Sequence, residues 1–322
     1  MTEPRANSLF LGHSSAVTAL HGAAISGRLH HAWLIGGQRG IGKATLAYRF
    51  ARWLLAGATS ADLSLDASHP AFRRVAANTH ADLLTIDRRF DEKRKKTQGE
   101  IVIDTVHEVG KFLRLTPGEG GWRVVVVDGA EDMNRNAANA LLKLLEEPPK
   151  RAILLLVSHA PGRLLPTIRS RCRTLNLAPL AEAEVASLLD TYAPEVAAAD
   201  RRKLARLAEG SIGTALTLAE ETGIAIAALV DEALAAPVPA ARAQAMADAA
   251  ARSEGGFETF MALLRAGLAA ATRAAARWPA AGDLARQVAV WQEFGKLERE
   301  VDILSLDKRA AIIVALNQLH GT

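Results

Sequence analysis

The run Gly36-Gly37-Gln38-Arg39-Gly40-Ile41-Gly42-Lys43-Ala44-Thr45 constrains this chain more than any other stretch. A short apolar run, Ala32 to Ile35, precedes it, and Leu46, Ala47, Phe50, Ala51 and Leu54 follow at helical spacing. Strand, glycine loop and helix in that order describe a phosphate-binding loop. Glycines let backbone N–H groups converge on an anion, the helix adds the positive end of its dipole, and Lys43 adds a full charge. Residue 44 is alanine, so the hydroxyl that holds Mg²⁺ in such loops is missing. The candidate nucleotide contacts are Gly37, Gly40, Gly42, Lys43, Thr45 and, further along, Asp128. Thr45 is a poor replacement for the missing hydroxyl, because one residue along a helix turns the side chain by about 100°.

Trp122 to Asp128 is a nearly continuous β-branched run that ends in a carboxylate, which suits a parallel strand buried on both faces. Asp128 occupies the Walker B position, where P-loop proteins keep the acid that orients Mg²⁺. Ring-forming ATPases commonly place a water-polarising glutamate next, but residue 129 is glycine and Glu131 is poorly placed to substitute. A third buried strand, Ile153 to Val157, ends in Ser158-His159, polar residues at an edge suited to a γ-phosphate. Arg163, Arg169, Arg171 and Arg173 then surround Ser170-Arg171-Cys172. They read either as surface charge or as a finger reaching a neighbouring subunit's nucleotide site.

Elsewhere the signals are plainer. Ser14 to Arg28 has helical spacing, with Ser14 or Ser15 as the cap; Ala81 to Ile86 reads as a strand, and Asp104 as the cap of a helix through Arg114. Asn134 to Glu147 reads as a helix stopped by Pro148-Pro149. His31 reads as a strand-edge histidine, with contact to a base or ribose as the alternative. His69 and His80 lack the regular spacing and thiolates of a metal site. The charged run Asp91 to Lys96 reads as a solvated loop, with DNA phosphates or an acidic partner as the alternative. Beyond Pro179 the pattern is helical to the end, with a glycine break at Gly210 to Gly213, a turn at Trp278 to Gly282 and Asp307 as a cap.

With 322 residues the chain has room for two or three domains. Its 39 basic and 35 acidic residues give a formal charge of only +4, which does not by itself point to nucleic acid. The single cysteine, Cys172, excludes an internal disulfide framework and a Cys-based zinc cluster. Met1 to Phe10 lacks a signal pattern, and no apolar run reaches the roughly eighteen residues of a membrane span, so a cytoplasmic protein is expected.

Together these landmarks resemble the clamp-loader subunits of bacterial DNA polymerase III, within the AAA+ class. The likeness rests on Arg28-Leu29-His30-His31-Ala32, the run Asn139-Ala140-Leu141-Leu142-Lys143-Leu144-Leu145-Glu146-Glu147-Pro148-Pro149, and Ser170-Arg171-Cys172, and it covers about residues 10–220. It implies an α/β P-loop domain with a parallel sheet (1–178), a small helical lid (179–221) and an all-α collar (222–322). It also implies a heteropentamer with the ATPase motor (gamma/tau) and delta subunits that loads the sliding β clamp onto primed DNA. The motor pattern has Ser or Thr at position 44, Glu at 129 and Arg at 213; here they are Ala44, Gly129 and Gly213. The resemblance therefore implies a non-hydrolysing subunit whose Arg171 acts in trans, with ATP as a ligand bound without turnover. The rival readings are an ATP-hydrolysing motor and a purely structural assembly protein. The zinc module that many members carry after the P-loop helix has no cysteines here, so no zinc is expected.

Overall fold

Side chains on a strand alternate between its two faces, and three apolar runs use that alternation to build two cores from one sheet. The computed structural model describes residues 3–88, 90–91, 96–97, 99–119, 121–253, 255–275, 284–304 and 306–320. The chain begins α1 (Ser14–Ile25), β1 (Ala32–Gly36), α2 (Lys43–Leu55), α3 (Pro70–Ala76), β2 (Leu83–Ile86), β3 (Phe90–Asp91), β4 (Lys96–Thr97) and α4 (Ile103–Arg114). It continues β5 (Arg123–Asp128), α5 (Arg135–Glu146), β6 (Ala152–Ser158), α6 (Pro166–Arg169) and β7 (Arg173–Asn176). Five strands lie in the order β2-β5-β6-β1-β7, every neighbouring pair parallel.

On one face Trp33, Ile35, Val124, Val126, Ile153 and Leu155 pack with Leu20 of α1 and Leu46 and Phe50 of α2. On the other, Leu34, Val125, Val127, Leu154 and Leu156 pack with Val106 and Val109 of α4 and Leu141 and Leu145 of α5. Each such side chain contributes about 1.5–3 kcal/mol of burial. The expected α/β class with a parallel sheet is what forms.

Register decides what meets at the sheet's edge. Gly36, the last residue of β1, pairs with Ser158 of β6, and Asp128 of β5 pairs with Val157. The glycine loop, Asp128 and the Ser158-His159 corner therefore share one carboxyl edge, where the chain leaves β1 towards one side of the sheet and β6 towards the other. Open α/β sheets bind ligands at such a switch point.

Several local expectations hold, the Asp307 cap among them, and two need correction; the cap at Asn134 is not anticipated. Asn134 caps α5 by accepting from the Ala137 N–H at 3.0 Å. Asp307 accepts from the Arg309 and Ala310 N–H groups at 2.8 and 2.9 Å. The cap of α1 is His13 rather than Ser14 or Ser15, since both serines already lie inside the helix. Asp104 likewise lies inside α4, whose cap is Val102; its carboxylate complements the helix dipole instead. His69 and His80 do local work: the Nδ1 of His69 caps α3, and that of His80 accepts from the Asp82 N–H. The charge run at 91–96 and the turn at 278–282 fall wholly or mostly outside the described residues.

Two compact units partition the chain. The first comprises Met1–Glu184 with Gly210–Gly213, and the second Val185–Glu209 with Thr214–Thr322. The remaining elements are α7 (Glu182–Tyr192), α8 (Ala198–Leu207), α9 (Ile212–Ala219), α10 (Glu221–Ala235), α11 (Ala240–Ala251), α12 (Gly256–Ala275), α13 (Leu284–Leu304) and α14 (Lys308–His320). The second unit's core includes Met246, Phe260, Leu264, Phe294 and Ile312, each buried. Among the described residues, no single helix is long and apolar enough to cross a membrane.

Candidate functional site

Lys43 opens α2 directly beneath the glycine loop and is almost wholly buried, with 7% of its surface exposed. Its ammonium donates to the Gln38 carbonyl at 2.6 Å. Burial lowers its pKa, while the carboxylates of Glu131 and Asp128 pull it back up. Asp128 shifts the other way. Burial raises its pKa, Asp87 adds to the rise, and Lys43 opposes it. Lysine and acid therefore act on each other's charge. Ala44, the residue in place of the Mg²⁺-binding hydroxyl, packs its methyl against the apolar core on the α2 side of the sheet. Thr45 is half-buried one position further along α2.

The other two departures are fixed by the backbone. Gly129 has φ 73°, in the left-handed region, and a Cβ there would lie 2.9 Å from the Asp132 carboxylate. A glutamate at 129 would be strained whatever space it found. Gly213 donates its N–H to the Gly40 carbonyl at 2.9 Å, and a Cβ on it would sit 2.8 Å from the Cα of Gly40. Ser211 Oγ donates to the Arg39 carbonyl at 2.9 Å. Residues 210–213 thus dock on the glycine loop, and the close approach of two glycines leaves no room for a side chain at 213.

Glu131 is not a free base. Its side chain is completely buried and accepts from the His159 backbone N–H at 2.9 Å and from the His159 ring Nδ1. Burial alone would raise its pKa, but these hydrogen bonds hold it at about 2, against an ordinary 4.5. A folded-state pKa below the unfolded one stabilises the fold fully above pH 4.5, and that contribution is lost as pH falls towards 2. Glu131→Gln is expected to flatten the dependence of unfolding temperature on pH between pH 5 and pH 2, as a calorimetric series would record. The Ser158-His159 corner is thereby tied to Glu131, with the His159 side chain still 35% exposed.

A further group of residues is not legible in the sequence. Arg52 donates to the carbonyls of Arg5 and Asn7 at 2.6 and 2.7 Å, and Arg49 to that of Ser8 at 3.0 Å. His13 Nε2 donates to the Ile41 carbonyl at 2.8 Å. Residues 5–13 are thus strapped along α2 and reach the loop. Burial, and then neighbouring Arg49, lower the pKa of Arg52 to about 10, so it still carries its charge at neutral pH. The available signal was two arginines, three apart, interrupting the apolar face of α2.

Arg171 lies away from these groups, in the turn between α6 and β7. Its NH1 donates to the Thr167 carbonyl at 3.0 Å, and its NH2 stands 2.8 Å from Glu146 Oε1. The side chain keeps 37% of its surface exposed. Burial pushes the thiol of Cys172 up to about 12, so it packs as a small apolar group and does no thiolate chemistry. Arg173 lies over the Trp33 ring at 5.1 Å.

A parallel sheet with a glycine loop at its switch point, a buried lysine and an acid at the end of β5 define an α/β domain of the P-loop type. The family profile described as "DNA polymerase III, delta subunit" matches residues 12–181, just over half of the chain, and the chain belongs to that family. The delta' subunit of Pseudomonas aeruginosa DNA polymerase III is 44% identical over 142 residues, 44% of this chain and 41% of that protein. The Escherichia coli delta' subunit is 39% identical over 195 residues, 60% and 55% of the two chains. The tau subunit of E. coli is 31% identical over 219 residues, 66% of this chain and 32% of that one. The matched region spans about half the length of the delta' relatives.

Proposed function

We propose that this chain is a non-hydrolysing clamp-loader subunit of the delta-prime kind, which contributes Arg171 to the nucleotide site of a neighbouring ATPase subunit. The observation that carries this reading is the contrast between the two sites. At its own loop, Ala44, Gly129 and Gly213 stand where Mg²⁺, water and γ-phosphate would be handled, and Gly213 is docked on Gly40. Arg171, by contrast, is half-exposed and anchored. In this role the partners are the gamma/tau motor and delta subunits, the sliding β clamp and primed DNA, in a cytoplasmic heteropentamer. Residues 179–221 serve as the lid and 222–322 as the collar.

Lys43 and the backbone donors of the loop remain, so ATP is the ligand the loop would take, held without turnover. Binding must first release the Lys43 ammonium from Gln38, at a cost of about 1.5–3 kcal/mol. That corresponds to a ten- to hundredfold loss of affinity. Titration of the purified chain with Mg-ATP is expected to give a dissociation constant weaker than about 0.1 mM. Low-micromolar binding would mean that the closed loop opens at no cost.

A further inference from the structure

Glu146 ends α5 where a carboxylate is least favoured. The last carbonyls of a helix carry partial negative charge, so an acid beside them costs stability unless a cation faces it. Two acids, Glu146 and Glu147, stand there in succession before Pro148-Pro149. The cation facing Glu146 is Arg171, at 2.8 Å. The end of α5 is itself fixed from a third direction, because His31 Nε2 donates to the Leu145 carbonyl at 3.0 Å. Burial, with His30 alongside, holds the pKa of His31 below its ordinary value, so the ring is neutral at physiological pH and adds no charge beside the pair. The runs around His31, Glu146 and Arg171 thus meet as one mechanical unit: His31, just before β1, pins the end of α5, and the end of α5 holds the guanidinium.

We propose that Glu146 is a positioning residue for Arg171, which holds the guanidinium extended before a neighbouring subunit arrives. The proposal rests on the reading of Arg171 as acting in that neighbour's site. An unanchored arginine spreads over many rotamers, and each must be excluded at the moment of reaction. Glu146 and the Thr167 carbonyl together engage two of its five N–H donors, which leaves three for incoming phosphoryl oxygens. Pre-orientation of this kind acts on the chemical step rather than on substrate affinity.

The test is DNA-stimulated ATP turnover by the reconstituted loader carrying Glu146→Gln, Glu146→Ala, Arg171→Ala or Glu146→Ala with Arg171→Ala. Both Glu146 variants are expected to lower kcat at the adjoining site about three- to tenfold with KM unchanged. In the Arg171→Ala background, Glu146→Ala is expected to add no further loss, because its effect passes through the missing guanidinium. Unfolding temperatures should stay within about 2 °C of the parent, as for an exposed ion pair. Unchanged or raised kcat in both Glu146 variants, or losses that add in the double variant, would overturn the positioning role while leaving that of Arg171 standing. An Arg171→Ala loader with full turnover would remove both.

Discussion

Replacing Arg171 with alanine is expected to slow ATP turnover at the adjoining subunit's site by about 10³-fold. The loader's total DNA-stimulated rate then falls by that site's share. An arginine inserted in trans neutralises charge on the transferring phosphoryl group, and its removal costs transition-state stabilisation rather than ground-state binding. The ion pair with Glu146 lies half in solvent, so its loss changes this chain's own stability by about 1 kcal/mol or less. A full turnover rate in the reassembled complex would strip Arg171 of the role.

The second large effect is on folding. Asp82 is fully buried at the amino end of β2, where it accepts from the N–H groups of Gly118 and Glu119 at 2.7 and 3.0 Å. Arg123, at the start of the neighbouring β5, lies 3.6 Å away and stacks on Phe112 at 4.6 Å. Its guanidinium also donates to the Phe112 and Thr116 carbonyls. Asp82→Ala would leave a buried cation without its anion and two N–H groups without an acceptor. Breaking a buried pair from one side costs about 3–5 kcal/mol. In a chain of this size that lowers the unfolding temperature by about 10 °C. A loss under about 1 kcal/mol in denaturant titrations would mean that the pair has little weight.

The parts of this fold that could be read from the sequence share one property: their information is local. Val124 to Val127 and Ile153 to Val157 are apolar at every position because helices cover both faces of the sheet, so they stand out as strands. The glycine loop and the Asp307 cap are likewise complete within a few residues. β7 is different. Arg173 to Asn176 is mostly exposed and, among the described residues, pairs only with β1, so nothing in its composition marks a strand.

The same distinction holds at the site. Ala44, Gly129 and Gly213 are visible as departures, but the reasons for two of them are not. The left-handed backbone at Gly129 and the contact of Gly213 with Gly40 appear only once the chain has folded. Ser211 reaches the Arg39 carbonyl across a separation of 172 residues, and Arg171 finds Glu146 on a different element. Asp82 and Arg123 are legible as residues of two strands, but their pairing depends on β2 and β5 lying side by side. Long-range contacts leave no periodicity in a sequence, which is why the residues of the site were legible and their partners were not.

On the proposed reading, this chain carries a phosphate-binding loop without catalysing at it. The most direct test is ATP hydrolysis by the purified chain alone, with Mg²⁺ and primed DNA present and Lys43→Ala as the control. The predicted result is a rate for the parent chain that cannot be told from the Lys43→Ala background. Turnover above that background, lost on replacing Lys43, would contradict it.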